Sequence, residues 1–227
     1  DRMDIGLIGG WIPHVHYSHL VLMDYLGARL PEKLVVSTAD YNRLLWSSDP
    51  KGFEAGLYWP APLGFGSNAY KRWSYSSSFQ TTTASYDNST VGNRIFQAWA
   101  HNLYYLPPNA KLGNLKLSDC AYPAQKIHMH DGHARHFKGQ WYFGVLNAKV
   151  IVSYMDGSAN LLKTTDVNKG WHPNIPNSPA VTTYDYVPDS WESSTSNGLP
   201  SEPIQAGYYR WTRLYNWGVD VGGSEPN

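Results

Sequence analysis

Four histidines fall within nine residues, His128, His130, His133 and His136, in the segment KIHMHDGHARH. The spacing H-x-H-x-x-H is one that metal sites use, because neutral imidazoles on nearby backbone positions can converge on one zinc ion. On a β-strand, residues two apart share a face, so His128 and His130 are predicted to point the same way, with His133 within reach. That arrangement would suit a metal-dependent hydrolase. The same spacing recurs at His14, His16 and His19, in HVHYSH. The competing reading makes all of these turn and surface histidines that bond to backbone. It is the reading adopted here: no metal site and no catalytic residue are assigned, with His128, His130, His133 and His136 kept as the candidates if a metal is bound.

Other chemistry-bearing residues are sparse. Cys120 is the single cysteine, so no internal disulfide can form, and a lone cysteine is more often an inert small hydrophobe than a nucleophile. No phosphate-binding glycine loop, G-x-S-x-G elbow or CxxC pair occurs. Asn88-Ser89-Thr90 is a formal glycosylation sequon. Ten Trp, seventeen Tyr and six Phe in 227 residues supply many ring faces. Exposed, these would suit a carbohydrate-binding module; buried, they fill a core or a subunit contact. Lys and Arg balance Asp and Glu at 18 each, which excludes the basic face that a nucleic-acid binder needs. No apolar run reaches the ~18 residues of a membrane span. A chain that starts at Asp1, without an initiator Met, is expected to be processed or trimmed.

The elements that must position these residues are read from periodicity and punctuation. Lys149–Met155 is an apolar, β-branched run, Asp156-Gly157 is a tight-turn pair, and Ala159–Lys163 returns; this predicts a central β-hairpin. Tyr17–Leu30 has leucines at helical spacing with Ser18 as cap, and Pro31 stops it. Leu34–Val36 reads as a short buried strand, and Tyr41–Trp46 as a helical turn ended at Asp49-Pro50-Lys51-Gly52. Arg72–Thr83 alternates rings and hydroxyls, which predicts an antiparallel strand. Within Val91–Tyr105, the four-residue spacing of Ile95, Trp99 and Leu103 favours a second helix, with a strand as the alternative. Strand character returns at Ala180–Val187 and Gln205–Arg213, and residues 189–203 are predicted to be a long loop.

The order of these segments resembles a family: prepilin-type, pseudopilin-like proteins with a C-terminal H-x9-DG element, as in planctomycetes. LVVSTADYNRLLWSSDP (34–50) is similar to the family's box after a short strand, with Ser37-Thr38 where the family has Cys-Pro. WSYSSSF (73–79) resembles the Tyr/Ser strand that follows. YPAQKIHMHD (122–131) resembles its Pro, strand and Asp step. Arg135-His136, and later NAKVIVSYMDGSAN, resemble the closing Arg-His and Asp-Gly element. Here 19 residues separate His136 from Asp156, and Ser158 stands in place of the final His. DVNKGWHPNIPNSP and GYYRWTRLYNWGVDVGG are similar to the family's tail.

The resemblance implies an α+β pilin-like head: an antiparallel β-sheet with one or two helices and long C-terminal loops. It implies a single ectodomain over 1–227, with a helix and first strands in 1–120, the hairpin region in 121–165 and a loop-rich extension in 166–227. Arg135, His136, Asp156 and Gly157 become structural motif residues. The implied function is a non-enzymatic structural subunit of a type IV pilus-like or type II secretion pseudopilus-like filament, extracellular or at the cell surface. Its partners would be copies of itself and other pilins. It would touch a membrane only through an apolar helix expected before Asp1. Some pseudopilin heads hold calcium in a C-terminal loop, for which Asp156, Asp166 or Asp220 are the oxygen candidates. No cofactor is otherwise expected.

Overall fold

The computed structural model describes residues 16–27, 29–62, 71–89, 93–98, 103–113, 115–137, 139, 141–170, 184–204 and 207–223. His14, His172, Trp99 and residues 180–183 therefore lie outside the described residues. The chain divides into two compact units, Asp1–Gln80 with Pro188–Glu192, and Thr81–Val187 with Ser193–Asn227. The arrangement is mixed α+β, with an antiparallel sheet and few helices. Among the described residues no helix is long and apolar enough to cross a membrane.

In the first unit, α1 (Tyr41–Ser48) starts where the Asp40 carboxylate accepts from Arg43 N. Arg43 and Trp46, three apart, form its buried face. The helix ends before proline, as steric conflict with the proline ring requires of Asp49. Asp49-Pro50 then does more than make the predicted turn. Asp49 accepts from Gly52 N at 3.0 Å and Pro50 takes the first helical position, so α2 (Pro50–Glu54) begins at once. Gly52 is required there, since a Cβ would lie 2.2 Å from Oδ2 of the Asp49 carboxylate, whose Oδ1 makes the cap. Trp46, Phe53, Ala61, Trp73 and Trp191 make the core of this unit.

Three expectations for this unit need correction. The Tyr17–Leu30 helix is only a 3-10 segment, Ser18–Leu22, followed by turns. Its consecutive residues His16, Tyr17, Ser18 and His19 are buried while Leu22 and Leu30 are exposed, so no apolar stripe exists to anchor an α-helix. The predicted strand at 34–36 is a 3-10 turn, Lys33–Val35, nucleated by Glu32 accepting from Leu34 N at 3.0 Å, and it leaves Leu34 exposed. The predicted strand at 72–83 shrinks to β1 (Phe79–Thr81). Serine hydroxyls in that stretch take backbone carbonyls instead, Ser76 Oγ locally to Trp73 O at 2.7 Å and Ser77 Oγ across the unit to Val35 O at 2.8 Å.

The second unit carries the predicted hairpin, β5 (Lys149–Tyr154) and β6 (Ala159–Lys163), in register from Lys149↔Lys163 to Ser153↔Ala159. β4 (Ile127–Asp131) pairs antiparallel with β5, so β5 lies between β4 and β6. In the region 91–105, where the spacing favours a helix with a strand as the alternative, the described residues take the alternative, a two-stranded ladder of β2 (Phe96–Ala98) with β3 (Leu103–Tyr105). Asp87 sets its start, accepting from Ile95 N at 2.8 Å and from the Tyr215 hydroxyl at 3.2 Å. β7 (Tyr184–Tyr186) pairs with β8 (Glu202–Ile204), which falls in the stretch expected to be a loop. The expected strand at 205–213 is a 3-10 turn, Tyr208–Trp211, among the described residues. Inward residues of β5 and β6, Val150, Val152 and Leu162, pack with Ile127, Phe143, Tyr186, Ile204 and Tyr209 in one core.

Candidate functional site

β4 decides the fate of the histidine cluster. Ile127 pairs with Tyr154 and His130 with Val152, a register shift that inserts one extra residue between Ile127 and Met129. A bulge of this kind breaks the alternation of side chains. His128 and His130 therefore do not share a face, which corrects the expectation drawn from their spacing. His128 Nδ1 lies 3.0 Å from Ser85 Oγ, whereas His130 is buried in the core beside Phe143 and Tyr209.

His130 has no free lone pair to offer a metal. Its Nδ1 is 2.9 Å from the Asp131 carbonyl, which can only accept, so that nitrogen carries the proton. Its Nε2 then accepts from Arg210 Nε at 3.4 Å. Burial, followed by repulsion from Arg210, holds the imidazole well below its usual range, so it is neutral at pH 7. Arg210 itself is almost fully buried. Its guanidinium donates to the Tyr142 hydroxyl at 3.1 Å and lies 4.2 Å from the Phe143 ring centroid.

The neighbouring motif residues hold the loop after β4. Asp131 accepts from His133 N at 3.1 Å and pairs with the Arg135 guanidinium. His133 bridges to Tyr142 in an isolated antiparallel pair, with the ring centroids 5.8 Å apart. His136 is exposed. In the hairpin turn, Asp156 accepts from Ser158 N at 2.9 Å and from Ser158 Oγ at 2.6 Å, and these bonds hold its carboxyl below the usual range. Gly157 takes φ +86°, a left-handed conformation that glycine adopts without strain. Ser158, where the resembling family has histidine, thus closes the turn.

The second histidine set is also dispersed. His16 Nδ1 sits 3.2 Å from both Arg43 Nη2 and Gln80 Nε2, and its ring packs against Trp73 and Trp191. His19 is buried, which lowers its pKa. Of the calcium candidates, Asp220 is buried against Lys126, Asp156 closes the hairpin turn, and Asp166 is exposed beside Thr165. Among the described residues no three His, Cys, Asp or Glu side chains group as metal ligands. Burial raises the Cys120 thiol, which lowers its thiolate fraction and its nucleophilicity.

Spacing did not single out the cations buried among the described residues, Arg43, Lys126 and Arg210. Lys126 and Arg210 gain their partners from distant parts of the second unit, and Arg43, paired locally with Asp40, also reaches His16 and Ser76 far along the chain, so no local pattern marks the set. Nor did it single out a cleft of about 250 Å³ lined by Trp141, Asn147, Ser196 and Glu202 among others. Comparison of the chain with known protein families, with curated proteins and with solved structures returned no match in any of the three.

Proposed function

We propose that the chain is a pilin-like head, the structural subunit of an extracytoplasmic filament of type IV pilus-like or type II secretion pseudopilus-like kind. The observation that carries the reading is the β5–β6 hairpin. Its turn holds the Asp156-Gly157 pair of the resembling family, and its outer face carries an exposed apolar pair between the lysines at its base and Ser153. Ile151 and Leu161 are direct cross-strand partners and are 40% and 42% exposed. β6 ends the sheet order, and among the described residues no strand pairs with its outer edge. Such an edge is a template for another chain. Lys149 opposite Lys163 at the base of the hairpin favours a partner that brings acidic side chains. Arg135, Asp131 and the bulge of β4 serve in this reading to hold the sheet, with no chemistry of their own.

The experiment is localisation in cells that carry the gene. Antibodies raised to the second unit are expected to decorate filaments sheared from the cell surface. Labelling confined to the cytosolic fraction would overturn the proposal.

A further inference from the structure

We propose that the cleft between the 141–147 loop and β8 binds a neutral, hydroxyl-rich sugar ring, stacked on Trp141 and hydrogen-bonded to Glu202 and Asn147. This site is independent of the hairpin face and of the filament reading. At about 250 Å³ it falls below the ~300–1,000 Å³ usual for drug-sized ligands, so it suits one ring.

The aromatic wall is held in place. Gly139 takes φ +110°, and a Cβ there would meet Trp141 Cε2 at 2.8 Å and Cζ2 at 3.0 Å, so its backbone lies directly against the indole. Trp141 also packs against the core of the second unit while remaining partly exposed at the cleft. A rigid ring face of this kind suits the C–H face of a pyranose, because aromatic side chains offer large contact area at little entropic cost.

The polar wall is oriented before any ligand arrives. Ser196 N donates to Glu202 Oε2 at 2.7 Å, and Ser196 Oγ donates to Oε1. Both carboxylate oxygens are thereby positioned, and each keeps a lone pair for a further donor. Two adjacent hydroxyls of a sugar match such a carboxylate. Asn147 is exposed at the same cleft and offers both a donor and an acceptor. The fixed negative charge disfavours phosphates, acidic sugars and nucleic acid. It leaves neutral polyols, with small organic cations as the competing class, since a ring beside a carboxylate also suits a cation.

Saturation-transfer NMR on the full chain decides between these, using methyl β-glucoside, N-acetylglucosamine, galactose and rhamnose as probes and tetramethylammonium as the cation arm. At least one sugar is expected to receive saturation from the wild type and to lose it in Trp141→Ala. Glu202→Gln is expected to weaken that sugar about tenfold, the size of one hydrogen bond to a charged group. Trp217→Ala, at an exposed indole elsewhere in the same unit, is expected to bind as the wild type does. Because Trp141 also supports the core, Asn147→Ala at its exposed position serves if Trp141→Ala does not fold; it too is expected to weaken binding. A blank panel, unaltered binding in Asn147→Ala and Glu202→Gln, or saturation of tetramethylammonium alone would each overturn the assignment.

Discussion

Lys126 is fully buried and Asp220 nearly so, and the ammonium lies 3.1 Å from one carboxylate oxygen and 2.7 Å from Thr212 Oγ1. The other carboxylate oxygen accepts from Ile127 N at 2.8 Å, so this pair ties the backbone around Asp220 to the start of β4. Burial raises the Asp220 pKa even against the attraction of Lys126, which means that the carboxylate depends on that ammonium for its charge. Lys126→Met is expected to cost about 3–5 kcal/mol at neutral pH, because it leaves a buried carboxylate without a counter-charge. Adding Asp220→Asn should recover part of the loss, since the amide still accepts from Ile127 N. Urea unfolding of the wild type and both variants measures this; equal stability of single and double variants would refute the argument. In the first unit, Trp46 is fully buried and donates its indole N–H to Pro60 O at 3.1 Å. Trp46→Ala is expected to destabilise that unit by about 3–5 kcal/mol, read as a lower urea midpoint.

At the scale of the element, the hairpin makes separable predictions for its turn and its face. Gly157 has nothing near the place its Cβ would occupy, so the cost of Gly157→Ala is one of backbone conformation alone. That cost is about 1–2 kcal/mol for a left-handed alanine, visible as a lower thermal midpoint with the register intact. Leu161→Lys changes an exposed position and is expected to leave the fold unchanged within about 0.5 kcal/mol. If the hairpin face meets another copy in a filament, the same substitution should abolish assembly in cells. Filaments of normal length in that variant would remove the hairpin from the contact. The bulge in β4 is the other element-scale lesson. One extra residue turns His128 away from His130, and a metal-like spacing becomes a core contact and a serine contact.

Across the whole molecule, the buried histidines contribute to the response to mild acid. Burial is the first cause of a lowered pKa at His19, His128 and His130, and for His130 the shift is large. A depressed imidazole is neutral when folded but takes a proton from about pH 6.5 downward when unfolded. The unfolded chain therefore binds more protons there, and stability that is complete above about pH 6.5 is lost as the pH falls toward the folded values. Asp220 works in the opposite sense. Its raised pKa favours the protonated folded form, so its contribution is greatest at low pH and is lost as pH rises through the folded value. Scanning calorimetry from about pH 7.5 to about pH 5 should show a falling thermal midpoint. His130→Gln, which keeps a polar group at the site without a titrating ring, should flatten that fall. An unchanged slope would mean that His130 does not titrate across unfolding.

Local order alone was enough for the hairpin. The alternation of Val150 and Val152 with exposed neighbours, and the left-handed need of Gly157, are both written into adjacent residues. The caps at Asp40 and Asp49 are local in the same way, since a carboxylate reaches only the next turn. The amphipathic spacing at 17–30 and at 95–103 was equally visible but misleading, because a helical pattern holds only where the fold supplies a surface to cover it. The charges also required the tertiary structure. Arg43 meets Gln80 through His16, Lys126 meets Asp220, and Arg210 meets His130, pairings between residues far apart in the chain. The same holds for the cleft, where Trp141 and Glu202 come from segments far apart in the chain. Short-range sterics and hydrogen bonds can be read from neighbouring residues, but desolvation and long-range charge pairing exist only once the chain has closed around them.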